Sequence, residues 1–349
     1  MRIFLYEFVT GGGWYCEPTG RPPDSLLAEG AAMLRSVAAD FRAIPGIEVD
    51  VMRDRRYRVS LDSGATIHQV ASAADEAATL SALASAADWT VMIAPEFSGH
   101  LRARCQAVEL AGGKLLGPSS DVVALVGDKH AAAEHLAAHG VSVPWGVALA
   151  AEEALPARFP YPAVLKPRDG AGSQGIESVE GPGELDSRWQ HRQAYAHWRL
   201  EEFRVGLSAS VACLCGPRRI VPLVPCRQRL GEDGGFEYLG GSLPLDAPLA
   251  ARARRLAARA IAALDCPLGY LGVDLVLGHD ATGADDVAIE INPRLTTSYV
   301  GLRALARGNL AEAMLEIARG NEVELCWQER SIQFESGGCV RDLTAPGGV

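Results

Sequence analysis

No stretch of this chain approaches the roughly 20 consecutive apolar residues that a membrane-spanning helix needs. The opening Met1-Arg2-Ile3-Phe4-Leu5-Tyr6-Glu7 lacks the long apolar region of a secretory leader, so a cytoplasmic protein is expected. Basic residues are also short: 33 Lys and Arg stand against 43 Asp and Glu, a formal charge of -10. That balance excludes a general binder of nucleic acid or anionic membrane, since both need an excess of cations. Any anionic ligand must be held by a local cluster. The eight cysteines form no Cys-x-x-Cys pair and no histidine follows at finger spacing, which argues against a zinc site. Cys213 and Cys215 share one face of an expected strand and read as small buried thiols. His135 and His139 stand at i and i+4, but without the Glu of a His-Glu-x-x-His motif they read as a solvated helix face. There are no internal repeats.

What remains is ordinary globular material, 349 residues with 48% hydrophobic and 22% charged, long enough for two or three α/β units. An apolar run from Arg2 to Val9 predicts a strand, and Thr10-Gly11-Gly12-Gly13 ends it. A helix follows from an Asp24 or Ser25 cap to Phe41. Ile47 to Met52, Thr90 to Ala94 and Lys114 to Leu116 read as further strands, separated by helices near 75–86 and 101–110. Strands alternating with helices imply a parallel sheet covered on both faces. Ser119-Ser120-Asp121 caps a helical region that Gly140 ends. Tyr161 to Pro167, Ser208 to Leu214, Ile220 to Val224, Gly272 to Leu277 and Val287 to Asn292 are strand-like, a helix spans about 249–264, and β character returns at Val323 to Trp327 and Ile332 to Glu335.

Chemistry concentrates in the second half. Glu290-Ile291-Asn292 follows the apolar Val287-Ala288-Ile289, and alternation sends Glu290 and Asn292 to one face, where their oxygens suit Mg²⁺. Asp274 on the neighbouring candidate strand adds a third oxygen. The run Gly170-Ala171-Gly172-Ser173-Gln174-Gly175 reads as a phosphate-covering loop: glycines let amides approach oxyanions, and Ser173 and Gln174 add donors. It is not a Walker A loop, because no Lys-Ser or Lys-Thr follows. Lys166, ending the strand before the loop, and Lys129, on the helical segment, supply cations for phosphates. Glu201-Glu202-Phe203 fits an adenine hinge, with carboxylate and carbonyl acceptors for the exocyclic amine, an amide donor and an aromatic neighbour. Each feature alone has a plain alternative as a surface lysine, turn or strand end.

Taken in order, helix lysine, strand lysine, glycine loop, acidic hinge, metal Asp and metal Glu-x-Asn, the chain resembles the ATP-grasp superfamily across about 119–320. The resemblance implies an α/β ATP-grasp fold behind an N-terminal Rossmann-like pre-ATP-grasp domain. Segments of 1–118, 119–196 and 197–349 are expected, the last two being the small and large ATP-grasp subdomains. It implies an ADP-forming carboxylate–amine ligase working through an acyl phosphate, with ATP and Mg²⁺, or Mn²⁺ in its place. Lys129, Lys166, Gly170, Gly172, Ser173, Gln174, Gly175, Glu201, Glu202, Phe203 and Ser208 are the expected ATP residues, Asp274, Glu290 and Asn292 the metal ligands, and Arg294 and Lys166 the catalytic cations. Many relatives carry an acid after the hinge for the ribose; Ser208 and Ser210 stand here instead.

The opening Tyr6-Glu7-Phe8-Val9-Thr10-Gly11-Gly12-Gly13 and the stretch from Glu290 to Arg303 are similar to the tyramine–glutamate ligases of methanofuran biosynthesis. That similarity implies γ-glutamyltyramine or γ-glutamyltyrosine as product and makes Gly12, Gly13, Glu96, Ser298, Tyr299 and Arg303 the candidate substrate residues. The expected partners are small molecules, an amino acid and an amine, with no nucleic acid or membrane; a homodimer is left open. Another amino-acid ligase, or a nucleotide sensor without chemistry, would share the same nucleotide residues.

Overall fold

The computed structural model describes the chain apart from residues 19, 58–63, 151–153, 171–173, 193–196, 232–235 and 345–349. The first segment contains β1 (Arg2–Glu7), α1 (Asp24–Arg42), β2 (Glu48–Asp54), β3 (Thr66–Val70), α2 (Ala73–Ala86), β4 (Trp89–Ile93) and α3 (His100–Leu110). Its four strands lie in the order β3-β2-β1-β4, all parallel, as alternation of strands and helices predicts. Lys114 to Leu116, expected as a strand, adds only a bridge between Thr90 and Leu115.

The helical region expected from Ser119 to Gly140 is two helices, α4 (Ser120–Gly127) and α5 (Lys129–Ala138). Asp128 divides them because its carboxylate accepts from the amides of His130 and Ala131 and starts a new helix. Then come β5 (Gly146–Ala150), β6 (Ala163–Pro167), β7 (Glu177–Val179), α6 (Pro182–His191) and β8 (His197–Glu202). These strands form an antiparallel sheet, β5-β8-β6-β7. Strand β8, expected in the third segment, is therefore hydrogen-bonded into the small sheet. Leu149, Leu165, Leu185, Trp189, Trp198 and Leu200 give this unit a core of its own.

The remainder comprises β9 (Leu207–Gly216), β10 (Arg219–Pro222), β11 (Cys226–Leu230), β12 (Tyr238–Leu243), α7 (Ala247–Ala262), β13 (Gly269–Leu277), β14 (Val287–Asn292), α8 (Ser298–Leu305), α9 (Leu310–Ala318), β15 (Ile332–Glu335) and β16 (Val340–Asp342). Its sheet runs β14-β13-β9-β11-β12-β15-β16, with β10 paired to β9. Val323 to Trp327 contributes a single bridge rather than a strand. One core runs from Ile3, Leu34 and Phe41 of the first segment into Leu214, Tyr299, Leu302 and Phe334 of the last. The first segment and the large sheet thus share an interior, whereas the small sheet packs around its own. Cys213 and Cys215 are buried reduced thiols, and burial pushes Cys213 up to about 12. His135 is not simply solvated: its Nε2 meets the Ala263 carbonyl at 2.8 Å. Among the described residues, no helix is long and apolar enough to cross a membrane.

Candidate active site

Strand β6 is buried along its whole length, so Lys166 must be neutralised inside the protein. The neighbouring strand supplies the partner: Nζ lies 2.5 Å from Glu201 Oε1, and both side chains are almost wholly buried. The other oxygen of Glu201 accepts from Arg199 Nε at 2.7 Å. Arg199 further donates to the Pro144 carbonyl at 2.8 Å and meets His130 Nδ1 at 2.8 Å. Glu201 therefore serves as a clamp on Lys166 rather than as a carboxylate for adenine. The second hinge acid is engaged as well, since Glu202 binds Arg204 at 2.9 Å and the Trp145 amide at 3.3 Å. Nor is the Phe203 amide open to a ring nitrogen, because it donates to the Pro162 carbonyl at 3.0 Å.

The acidic floor forms as alternation requires. Asp274 and Glu290 face each other across β13 and β14, and Asn292 stands two residues further on. Asp274 accepts from Gln228 Nε2 at 2.9 Å and from Asn292 Nδ2 at 3.1 Å. Burial, and then the nearby Glu290, raise its carboxyl to about 8. Burial would raise Glu290 too, but the ammonium groups of Lys129 and Lys166 overcome it and hold the carboxyl at about 2. Lys129, the first residue of α5, lies 2.9 Å from Glu290 Oε2 and donates to the Gly170 carbonyl at 2.8 Å. Two adjacent half-buried acids, one with its carboxyl raised by burial and by the other's charge, match a hard divalent cation held by oxygens. Asp274, Glu290 and the carboxamide oxygen of Asn292 are the donors that fit.

A cavity of about 460 Å³ lies between the small and large sheets and touches the first segment; Lys129 is not among its lining residues and adjoins it through Glu290. Lys166, Glu201, Glu202, Phe203, Ser208, Asp274, Glu290, Asn292, Arg294 and Ser298 line it. Val164 and Ile176 of the small unit and Leu275 and Ile289 of the large sheet give it an apolar part, suited to a flat aromatic ring. Glu29, Gln228, Tyr238, Thr296 and Thr297 also line the cavity and were not expected. Gln228 alternates with Arg227 and Arg229 in a strand whose polar sequence hides it, and Glu29 sits in a helix whose pattern reports only the core face. A larger, shallower cleft of about 680 Å³ is lined by Trp14, Glu17, Phe97 and Gln174 among others, and by neither of the two lysines nor the strand acids.

Other expected residues stand elsewhere. Gln174 faces that second cleft, while Gly170 meets Lys129 and Gly175 takes a φ of 71° at the loop's end. Gly172 and Ser173 lie outside the described residues. Arg294 forms a two-pronged pair with Glu96 at 2.9 and 3.1 Å, so the Glu96 carboxylate is taken and is not free for a substrate ammonium. Ser298 bonds Tyr270 at 3.0 Å and Thr296 at 2.8 Å at the cavity edge. Tyr299 and Arg303, expected at an acceptor pocket, instead reach Asp40 of α1 at 2.7 and 2.6 Å and dock the two segments together. Gly12 and Gly13 are packing glycines: a Cβ on Gly12 would lie 2.5 Å from Val70, and one on Gly13 2.2 Å from Phe8.

The model of the ATP-grasp domain matches residues 126–298, and that of a pre-ATP-grasp domain matches 47–123. The chain carries an ATP-grasp domain behind a pre-ATP-grasp domain, and its class is that of ATP-dependent carbon–nitrogen ligases. Among its relatives is the tyramine–L-glutamate ligase of Methanocaldococcus fervens, 26% identical over 67% of this chain and 67% of that protein. The same ligase of Methanocaldococcus jannaschii is 25% identical over 68% of this chain and spans 64% of its own length. In fold, the chain is similar to an ATP-grasp superfamily protein from Archaeoglobus fulgidus, with a TM-score of 0.72, 22% identity and coverage of 96% of this chain and 92% of the other.

Proposed function

We propose that the protein joins L-glutamate, through its γ-carboxylate, to the amine of tyramine or tyrosine, with ATP cleaved to ADP and phosphate. The reading is carried by one observation: the buried Lys166, the paired strand acids, one of them bound to Lys129, and an apolar slot share a single cavity in a chain similar to two tyramine–L-glutamate ligases. A carboxylate is a poor electrophile and must first become an acyl phosphate. Lys129 and Lys166 offer ammonium groups to the phosphates, Lys166 held in place by Glu201. Asp274, Glu290 and Asn292 would hold Mg²⁺, which when bound neutralises charge on the transferred phosphoryl group. Arg294, fixed by Glu96, presents a cation at the cavity wall for the carboxylate or for the oxyanion formed as the amine attacks. Ser208 and Ser210 offer hydroxyls in the same cavity for the ribose.

The test is direct. Purified protein given glutamate, ATP, Mg²⁺ and either tyramine or tyrosine should release ADP and phosphate together, and mass spectrometry should find the γ-glutamyl amide. Release of AMP and pyrophosphate would overturn the acyl phosphate route. Stimulation by an unrelated amine alone would overturn the substrate assignment.

A further inference from the structure

Among the described residues, the cations around the cavity are all paired, and two of its acids have no ion pair: Asp274 of the metal floor and Glu29. Lys129 is matched by Glu290, Lys166 and Arg199 by Glu201, and Arg294 by Glu96. Glu29 also lines the cavity, yet among the described residues it forms no ion pair; its Oε1 accepts from the Thr297 hydroxyl at 3.1 Å. Its position is fixed by sequence. Glu29 precedes Gly30 in α1, and Gly30 lets the helix pass against the buried Glu7, where a Cβ would come within 2.5 Å of that carboxylate. Glu7 itself is consumed by the turn after β1, accepting from the Val9 and Thr10 amides at 3.1 and 2.7 Å. Helix α1 thus lays one acid over the wall built by Asn292, Arg294 and Thr297. Burial pushes the Glu29 carboxyl up, while Arg294 and Thr297 pull it down. A half-buried anion left over in a cavity suits a ligand that brings its own positive charge.

We propose that Glu29 binds the ammonium group of the amine substrate and accepts its proton before attack on the acyl phosphate. The proposal rests on the ligase reading above. The balance is simple. One proton of the ammonium passes to Glu29, and the freed nitrogen lone pair forms the C–N bond. As the C–O bond to phosphate breaks, the second proton leaves with the phosphate, so amide and hydrogen phosphate result. Glu29 then returns its proton to solvent. No oxidant or further reactant is needed.

Hydroxylamine separates this role from a structural one, because it is largely unprotonated at neutral pH and needs neither an anion nor a base to attack an acyl phosphate. With glutamate, ATP and Mg²⁺, Glu29→Gln should make glutamyl hydroxamate within about threefold of the wild type. Amide formation with tyramine should fall roughly 100-fold or more, with a raised KM for tyramine and unchanged KM values for ATP and glutamate. Glu29→Asp should recover part of the amide rate. Equal loss of hydroxamate and amide, or a higher KM for glutamate in the hydroxamate assay, would overturn the proposal. So would a Gln variant as fast as the wild type with tyramine. If the wild type joins glutamate to a different amine, the substrate reading fails, and the same split measured with that amine still decides the role of Glu29.

Discussion

Asp40→Ala should unfold the joint between α1 and α8 without touching chemistry. Tyr299 is wholly buried and donates to Asp40 Oδ2 at 2.7 Å, while Arg303 reaches the same carboxylate at 2.6 Å. A hydrogen bond to a charged acceptor contributes about 1.5–3 kcal/mol. The Arg303 side chain is 36% exposed, so its pair adds only about 0.5–1 kcal/mol. Loss of both bonds, with a buried hydroxyl stranded, gives about 3 kcal/mol. For a protein of this size that is a fall in the melting midpoint of roughly 4 °C. Tyr299→Phe should cost less, since Asp40 keeps Arg303, and a double-mutant cycle should show strong coupling between the two positions. The assay is thermal denaturation followed by fluorescence, alongside KM values for ATP, glutamate and amine at a temperature where each variant is folded. Unchanged melting with a higher KM for an amino acid or amine would refute the reasoning and return Tyr299 and Arg303 to the substrate pocket.

Glu290→Ala and Asn292→Ala should each lower turnover by a hundredfold or more while changing adenine-nucleotide affinity far less; steady-state kinetics beside calorimetry checks both, and near-normal turnover would remove them from the metal site. Lys129→Met and Lys166→Met should weaken ATP binding about 10–100-fold by removing charge-assisted bonds, whereas unchanged calorimetric affinity would make these cations purely structural. His130 carries a pH dependence. Burial, and then the Arg199 guanidinium that donates to its ring, hold its pKa below 6.5. The folded protein therefore resists a proton that the unfolded chain accepts, and stability present above pH 6.5 is lost as the pH falls through the depressed value. Denaturation midpoints at pH 7.5 and 5.5 should differ more for the wild type than for His130→Asn; equal differences would refute the assignment.

Strands β1, β6, β9, β13 and β14 were legible because each is an apolar run bounded by turn residues. Strands β11 and β12 were not. Arg227, Gln228 and Arg229 give β11 a polar sequence: Gln228 borders the cavity, and the two arginines alternate to the other face. Gly240 and Gly241 weaken β12 by every propensity rule, yet a Cβ on Gly241 would meet Cys226 Sγ at 2.3 Å, so packing demands the glycine that propensity forbids. Lys129, Lys166, Asp274, Glu290 and Asn292 were readable as types in order. Their partners were not, since Thr297 finds Glu29 across 268 residues of sequence and Arg294 finds Glu96 across 198. Such pairs are set by the way domains meet, which local periodicity does not encode. The hinge illustrates the difference: Glu201 had the right location, but the neighbouring strand had already claimed its carboxylate.

From Glu290 to Arg303 the chain passes without interruption from the acidic floor, through Arg294 and Thr297, to the helix that grips Asp40. This stretch therefore belongs to two heritable units at once. Its inward residues answer to the reaction, while its remaining contacts answer to Glu29, Asp40 and Glu96 in a separate part of the gene. Recombination that imports the segment from a relative would carry the chemistry but leave those three acids behind. A viable chimaera must move them together, and lineages that drift in substrate should change both ends of the chain in step.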